Sequence, residues 1–207
     1  MTAPVPSADV SRETRALLDQ YHQLLLKWQK AVNLVSPSTI DEAWTRHFED
    51  SMQLAALLPP TTKTLFDFGS GAGFPGLVLA LMRPDIAVHL VESDQKKCSF
   101  LSTVSRETKI PVSVHNCRIE ALQTDAVPDV ISARALASLS KLFAYARPWA
   151  LKNPDLVLLL PKGENFEVEV KELERGAYAQ CEEFVSKTSE NARILRFSGI
   201  YNDVHKV

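Results

Sequence analysis

Apolar and polar positions follow one rhythm before residue 60 and another after it. Val10, Thr14, Leu17, Leu18, Tyr21, Leu24, Leu25 and Trp28 recur at spacings of three and four. That spacing predicts one face of an amphipathic helix over 10–28, with Ser7 or Asp9 as its cap. A connector through Ser36-Pro37 follows, since the residue before a proline is pushed away from helix. A second helix is predicted over 39–58, capped by Ser38 or Thr39, with Asp41 and Glu42 in its first turn and Pro59-Pro60 ending it. Beyond it, short apolar runs at 64–68, 87–91, 111–115, 129–132 and 156–160 read as strands. Helical stretches at 75–82, from Ser93 or Asp94 to about 109, and at 136–149 separate them. The run Leu156 to Leu160 is wholly apolar, as a strand buried on both faces should be. A charged helix over 165–175 precedes two alternating segments, 182–187 and 193–198, that read as an antiparallel pair. The pattern predicts an α/β, doubly wound, Rossmann-like and mostly parallel sheet. An N-terminal two-helix extension (1–60) should pack on a core (61–207) as one compact domain.

The stretch Leu65-Phe66-Asp67-Phe68-Gly69-Ser70-Gly71-Ala72-Gly73-Phe74-Pro75-Gly76 is a strand, a glycine turn and a helix start. Such a junction receives a nucleotide-like ligand at the edge of an open sheet. Gly71-x-Gly73-x-x-Gly76 satisfies the dinucleotide fingerprint, and Glu92 stands near the offset of its ribose-binding acid. Three features point elsewhere. Asp67 ends the first strand, where a carboxylate opposes a pyrophosphate but suits the ammonium and sulfonium of S-adenosylmethionine. No second domain is long enough to hold a hydride acceptor. The two closing strands suit a seven-stranded methyltransferase sheet. The lysine of a triphosphate loop is missing. Glu92 can accept both hydroxyls of an adenosine ribose, and Ile119-Glu120 can frame the adenine. Arg134 falls where methyl donor and acceptor should meet. Upstream, Arg46 and Asp50 form an i, i+4 pair, and His47 shares a face with Asp50 and Ser51. On their own these residues favour a surface ion pair beside a partly buried histidine; the other reading is a polar cluster at the mouth of the pocket.

Composition changes this picture little. With 45% apolar and 23% charged residues the chain is ordinary globular material. A net charge of −2, from 23 Lys+Arg against 25 Asp+Glu, neither announces nor excludes a nucleic-acid partner. Cys98, Cys117 and Cys181 lack C-x-x-C spacing, which predicts reduced thiols in a cytoplasmic protein. No metal-ligand spacing is present, and no apolar run is long enough to cross a bilayer. The start, with Pro4 and Pro6, has no signal-peptide pattern and is expected to fray.

Five stretches carry a resemblance in this order: Asn33-Leu34-Val35-Ser36; Arg46-His47-x-x-Asp50-Ser51; Asp67-x-Gly69-Ser70-Gly71-x-Gly73-x-Pro75-Gly76; Ser132-Ala133-Arg134-Ala135; and Lys162-Gly163. Together they resemble the bacterial RsmG (GidB) family, from about Leu24 to Phe197. The resemblance implies a class I methyltransferase fold and an S-adenosylmethionine-dependent enzyme that methylates N7 of a guanine in 16S ribosomal RNA. It implies cofactor contacts at Gly69, Phe74, Glu92, Ile119, Glu120 and Arg134, beside Asp67, Gly71 and Gly73 from the glycine turn. Small-subunit RNA or its precursor particle is the implied partner, and the protein is expected to be a cytoplasmic monomer.

Guanine N7 carries an available lone pair and the leaving thioether is neutral, so no obligatory acid–base residue is expected. Catalysis should come from in-line positioning, with Arg134 as the positioning candidate. An arginine forked onto O6 and N7, the usual guanine contact, would block the reacting nitrogen, so Arg134 should use O6 only. Asn33, Arg46, His47 and Lys162 are the candidates for the acceptor side, with Lys27, Lys30, Arg193 and Arg196 as further phosphate contacts. Two other functions fit the fold: methyl transfer to a small molecule or protein, and nucleotide binding without catalysis.

Overall fold

A computed structural model describes residues 3–5 and 10–201. Five parallel strands form the centre of the sheet: β2 (Thr64–Phe68), β3 (Ala87–Glu92), β4 (Ser113–Asn116), β5 (Val130–Ala133) and β6 (Val157–Lys162). β7 (Gln180–Val185) and β8 (Arg193–Ser198) add an antiparallel hairpin, with β8 against β6. A two-residue strand, β1 (Ala3–Pro4), pairs with β7. The order is β1-β7-β8-β6-β5-β2-β3-β4. The expected seven strands are therefore present with an eighth, because the amino-terminal segment covers the open edge of β7 where fraying was expected.

Strand alternation divides the core in two. Leu65 and Leu90 face one side, where α1 (Arg12–Gln29), α3 (Gly76–Met82) and α4 (Gln95–Thr108) pack. Phe66, Phe68 and Val91 face the other, against α5 (Leu139–Ala150) and Phe166 of α6 (Phe166–Lys171). The period of two that a pleated strand imposes thus feeds both layers. α5 begins three residues later than the expected 136 and ends at Ala150, one residue past the expected 149, with Pro148 inside its last turn.

The first predicted helix is α1, capped by Ser11, whose hydroxyl accepts the Thr14 N–H at 3.1 Å. The expected caps Ser7 and Asp9 lie outside the described residues. Leu18, Tyr21 and Leu25 are fully buried against α3 and α4, so the extension packs into the core. The second predicted helix is not regular. A 3-10 turn at Pro37–Thr39 stands apart, and the helical segment begins at Trp44. It runs as a π-helix (Trp44–Glu49), one α turn named α2 (Asp50–Met52) and a 3-10 stretch (Gln53–Leu57). A π turn rotates residues off the i, i+4 alignment. Arg46 and Asp50 accordingly form no ion pair among the described residues, and Asp50 faces Arg134 instead.

Candidate functional site

β2 is the switch point of the sheet: the chain proceeds to β3 and β4 on one side, then returns to β5 on the other. Ligands bind beyond the carboxyl ends of the strands at such a point. A cavity of about 1060 Å³ opens there, lined in order across the sheet by Ile119 and Glu120 beyond β4, Glu92 of β3, Gly69 to Ala72 after β2, and Arg134 after β5. Gly69 and Gly71 have φ of +64° and +56°, which glycine adopts without the steric cost of a Cβ.

Five backbone donors of the turn are already taken. Gly69 and Ser70 N–H donate to the Val91 carbonyl, Gly73 N–H to the Ser70 carbonyl, and Gly71 N–H to Glu92 Oε2 at 2.9 Å. Gly76 N–H, at the start of α3, donates to Asp67 Oδ2 at 3.2 Å. A dinucleotide site needs such donors for its pyrophosphate; here carboxylates hold two of them and carbonyls the other three. Glu92 also accepts Asp94 N–H at 2.8 Å through Oε1. Both of its oxygens are fixed by backbone while each keeps a lone pair for hydroxyl donors.

Asp67 corrects the sequence reading. It is fully buried and does not line the cavity. It accepts the Ser132 hydroxyl at 2.8 Å and the Gly76 N–H, tying β2 to β5 and α3. Burial pushes its carboxyl up to about 6, against the lowering effect of those hydrogen bonds. A Cβ on Gly76 would lie 2.7 Å from Asp67 Oδ2 and 2.5 Å from Leu90, so that glycine serves close packing. Gly73 also lies off the cavity wall, where a Cβ would meet the Tyr21 hydroxyl at 2.6 Å.

A second cavity of about 580 Å³ adjoins the first, and Thr39, His47, Arg134 and Ala135 line both. Ala135 has φ +51°, an uncommon conformation for a residue with a Cβ. At this junction Arg134 lies over the Phe74 ring at 5.2 Å. Its Nη1 donates to the Arg46 carbonyl at 3.2 Å and to His47 Nδ1 at 3.1 Å, and lies 3.5 Å from Asp50 Oδ2. Burial, then the Arg134 and Arg46 charges, push His47 down to about 4. The ring is neutral, and because Nδ1 accepts from arginine, Nε2 carries the proton. Nε2–H donates to Thr39 Oγ1 at 3.0 Å, and Thr39 donates to the Ser36 carbonyl at 2.9 Å.

The remaining candidates divide. Phe74, Ile119 and Glu120 line the first cavity; Arg46, exposed at the rim, and Lys162 line the second. Lys162 is paired internally, 2.7 Å from Glu169 and donating to the Ala137 carbonyl at 3.1 Å. Asn33 lines neither cavity. Its neighbours Val35 and Ser36 do, and Gln29 shapes their loop by donating to the Val35 carbonyl and accepting the Leu34 and Val35 N–H groups. Arg196, an expected phosphate contact, forks onto Glu182 at 2.8 Å and donates to the Leu57 carbonyl. Asp50, expected only as part of a polar cluster at the pocket mouth, lines the second cavity; sequence reasoning missed Thr39 as a site residue, and Leu136, whose side chain lies over Gly69.

Residues 14–195 match the family model described as GidB, rRNA small subunit methyltransferase G. A "Ribosomal RNA small subunit methyltransferase G" of Rhodospirillum centenum is 48% identical over 193 residues, 92% of this chain and 87% of that protein. One of Parvibaculum lavamentivorans is 43% identical over 197 residues, 93% and 86% of the two chains. The O-methyltransferase TomG from Streptomyces achromogenes, solved with S-adenosylmethionine, shares the fold at TM-score 0.55 and 13% identity, over 92% of this chain and 91% of that one. A ribosomal protein L11 methylase from Lactobacillus delbrueckii does so at TM-score 0.54 and 15% identity, over 72% and 78%. The chain therefore belongs to the GidB family of ribosomal RNA small subunit methyltransferases and has the class I methyltransferase fold.

Proposed function

We propose that this protein transfers a methyl group from S-adenosylmethionine to N7 of a guanine in small-subunit ribosomal RNA. The observation that carries the reading is the pair of adjoining cavities with Arg134 and His47 in their common wall. One cavity suits the donor and the other the acceptor base. The first fits the cofactor on its own chemistry. Glu92 offers lone pairs to two ribose hydroxyls, Val91 and Ile119 give an adenine apolar walls, and the glycine turn lets the backbone approach closely. The N–H groups of Gly69, Ser70, Gly71, Gly73 and Gly76 already meet carboxylates and carbonyls, which disfavours a phosphate on them.

S-adenosylmethionine supplies an electrophilic methyl on a cationic sulfur. The chain's task is to bind, orient and keep out water. Glu92, Gly69, Gly71, Phe74, Ile119 and Glu120 hold the cofactor side. The Glu120 carboxyl is kept below its usual range by its own N–H and by the Tyr145 hydroxyl, so it remains an acceptor. Arg134 is the positioning residue, its guanidinium steadied by His47, the Arg46 carbonyl and the Phe74 ring. Neutral His47 fixes Arg134 and Thr39 and needs to move no proton. Exposed Arg46 is placed to meet an RNA phosphate at the rim.

The reading is tested by incubating the protein with labelled S-adenosylmethionine and unmethylated small-subunit RNA or particles, with total protein and small molecules as competing acceptors. Label confined to RNA, at 7-methylguanine after digestion, is the expected result. Label in protein or small molecules would overturn it.

A further inference from the structure

The structure assigns a second base-reading group, Asp50, which together with Arg134 selects guanine in the acceptor cavity; this rests on the methyl-transfer reading above. Asp50 lines the second cavity with its side chain 18% exposed, beside Arg134 at 19%. Its two oxygens are unequally used. Oδ1 accepts the Thr188 hydroxyl at 2.7 Å and the Gln53 amide at 3.0 Å. Oδ2 has only Arg134 Nη1, at 3.5 Å, the outer limit of a hydrogen bond. Arg134 Nε and Nη2 donate to no partner among the described residues. These open groups face the solvent of the cavity, since no described side-chain polar atom is buried without a partner. Here an open acceptor and open donors stand together on one cavity wall.

That pair matches one edge of guanine. O6 is an acceptor and the adjacent N1–H is a donor, so Arg134 can donate to O6 while Asp50 Oδ2 accepts N1–H. Adenine reverses both, offering an amino donor and a bare N1. The usual arginine fork onto O6 and N7 is barred, because N7 must stay open for the methyl group. A carboxylate on N1–H restores two-point recognition without touching the reacting atom. Thr188 and Gln53 fix Oδ1 and thereby aim Oδ2.

Asp50→Asn tests this with little change of shape. An oxygen still serves Thr188 and Gln53, but an N–H₂ replaces Oδ2 and opposes the guanine N1–H. With saturating S-adenosylhomocysteine filling the first cavity, the wild type should bind guanosine and inosine monophosphates at least ~10-fold tighter than adenosine monophosphate. Inosine belongs with guanosine because it keeps O6 and N1–H. A good two-point base contact is worth on the order of 10- to 100-fold. Asp50→Asn should lose the preference and lower kcat/KM for unmethylated ribosomal RNA by about 30-fold, while S-adenosylhomocysteine affinity and Tm stay unchanged. Inosine monophosphate behaving like adenosine monophosphate on the wild type, which needs no variant, would overturn the assignment. So would an Asp50→Asn protein that still prefers guanine. Absence of any methyl transfer to ribosomal RNA by the wild type would instead sink the underlying reading, and the assignment with it.

Discussion

Asp67 on β2 and His47 on the π turn shift in opposite senses, so their ionisation pulls stability in opposite directions. Asp67 has a folded pKa of about 6, above its ordinary 3.8. A raised value means that the native state holds the proton more tightly, so the contribution is fullest below 3.8 and falls as pH rises through 6. Relative to Asp67→Asn, the wild type should lose stability on the order of 3 kcal/mol between pH 4 and 7, read from urea unfolding at both pH values. A difference independent of pH would mean that the carboxyl titrates normally. For His47 the folded pKa of about 4 lies below the ordinary 6.5. Its contribution is present above 6.5 and is lost as pH falls toward 4. His47→Gln should therefore flatten the acid limb of the Tm profile over that window while leaving the region above pH 7 unchanged.

Among the elements, α1 is tied most directly to the glycine turn. Tyr21 is fully buried, stacks on Phe74 at 5.4 Å, meets Phe48 edge-on at 4.8 Å, and donates its hydroxyl to the Ala72 carbonyl. Tyr21→Phe keeps the packing but strands that carbonyl, a cost of roughly 1–3 kcal/mol. We expect a lower midpoint of unfolding and weaker S-adenosylhomocysteine binding by calorimetry; unaltered affinity would show that the turn holds its shape without the helix. The sequence made α1 legible because its face repeats over five turns, and 193–198 was legible end to end because alternation needs few residues to declare itself. The π turn at 44–49 was not: six residues cannot distinguish an i+4 from an i+5 repeat. Nor was the place of Asp67, since a carboxylate at a strand end reads as facing ligand until Ser132 and Gly76 are seen to enclose it. Asn33 was selected and Gln29 passed over because the loop between them has no period.

Over the whole molecule, the second cavity depends on a joint between parts far apart in the chain. Gln53, only 4% exposed, donates to Asp50 Oδ1 and to the Ser186 hydroxyl, each at 3.0 Å, and accepts the Lys187 N–H at 2.9 Å. It thus fastens the turn between β7 and β8, which supplies Ser186, Thr188 and Ser189 to the second cavity, onto the segment that carries Asp50 and faces Arg134. None of these contacts reaches the first cavity, whose wall contains no residue of that turn. Gln53→Leu keeps most of the volume and removes all three bonds, leaving the Lys187 N–H without this acceptor. Backbone amides at 186–192 should then exchange hydrogen faster, because the turn opens without unfolding the sheet. Each lost bond is worth about 1 kcal/mol net, and a misplaced acceptor slows transfer more than it weakens the donor. The expected outcome is a fall in kcat/KM for ribosomal RNA of about 10-fold or more, with S-adenosylhomocysteine affinity unchanged. A parallel loss of cofactor affinity would mean that the two cavities are mechanically one, and that the division of labour drawn from their shared wall is wrong.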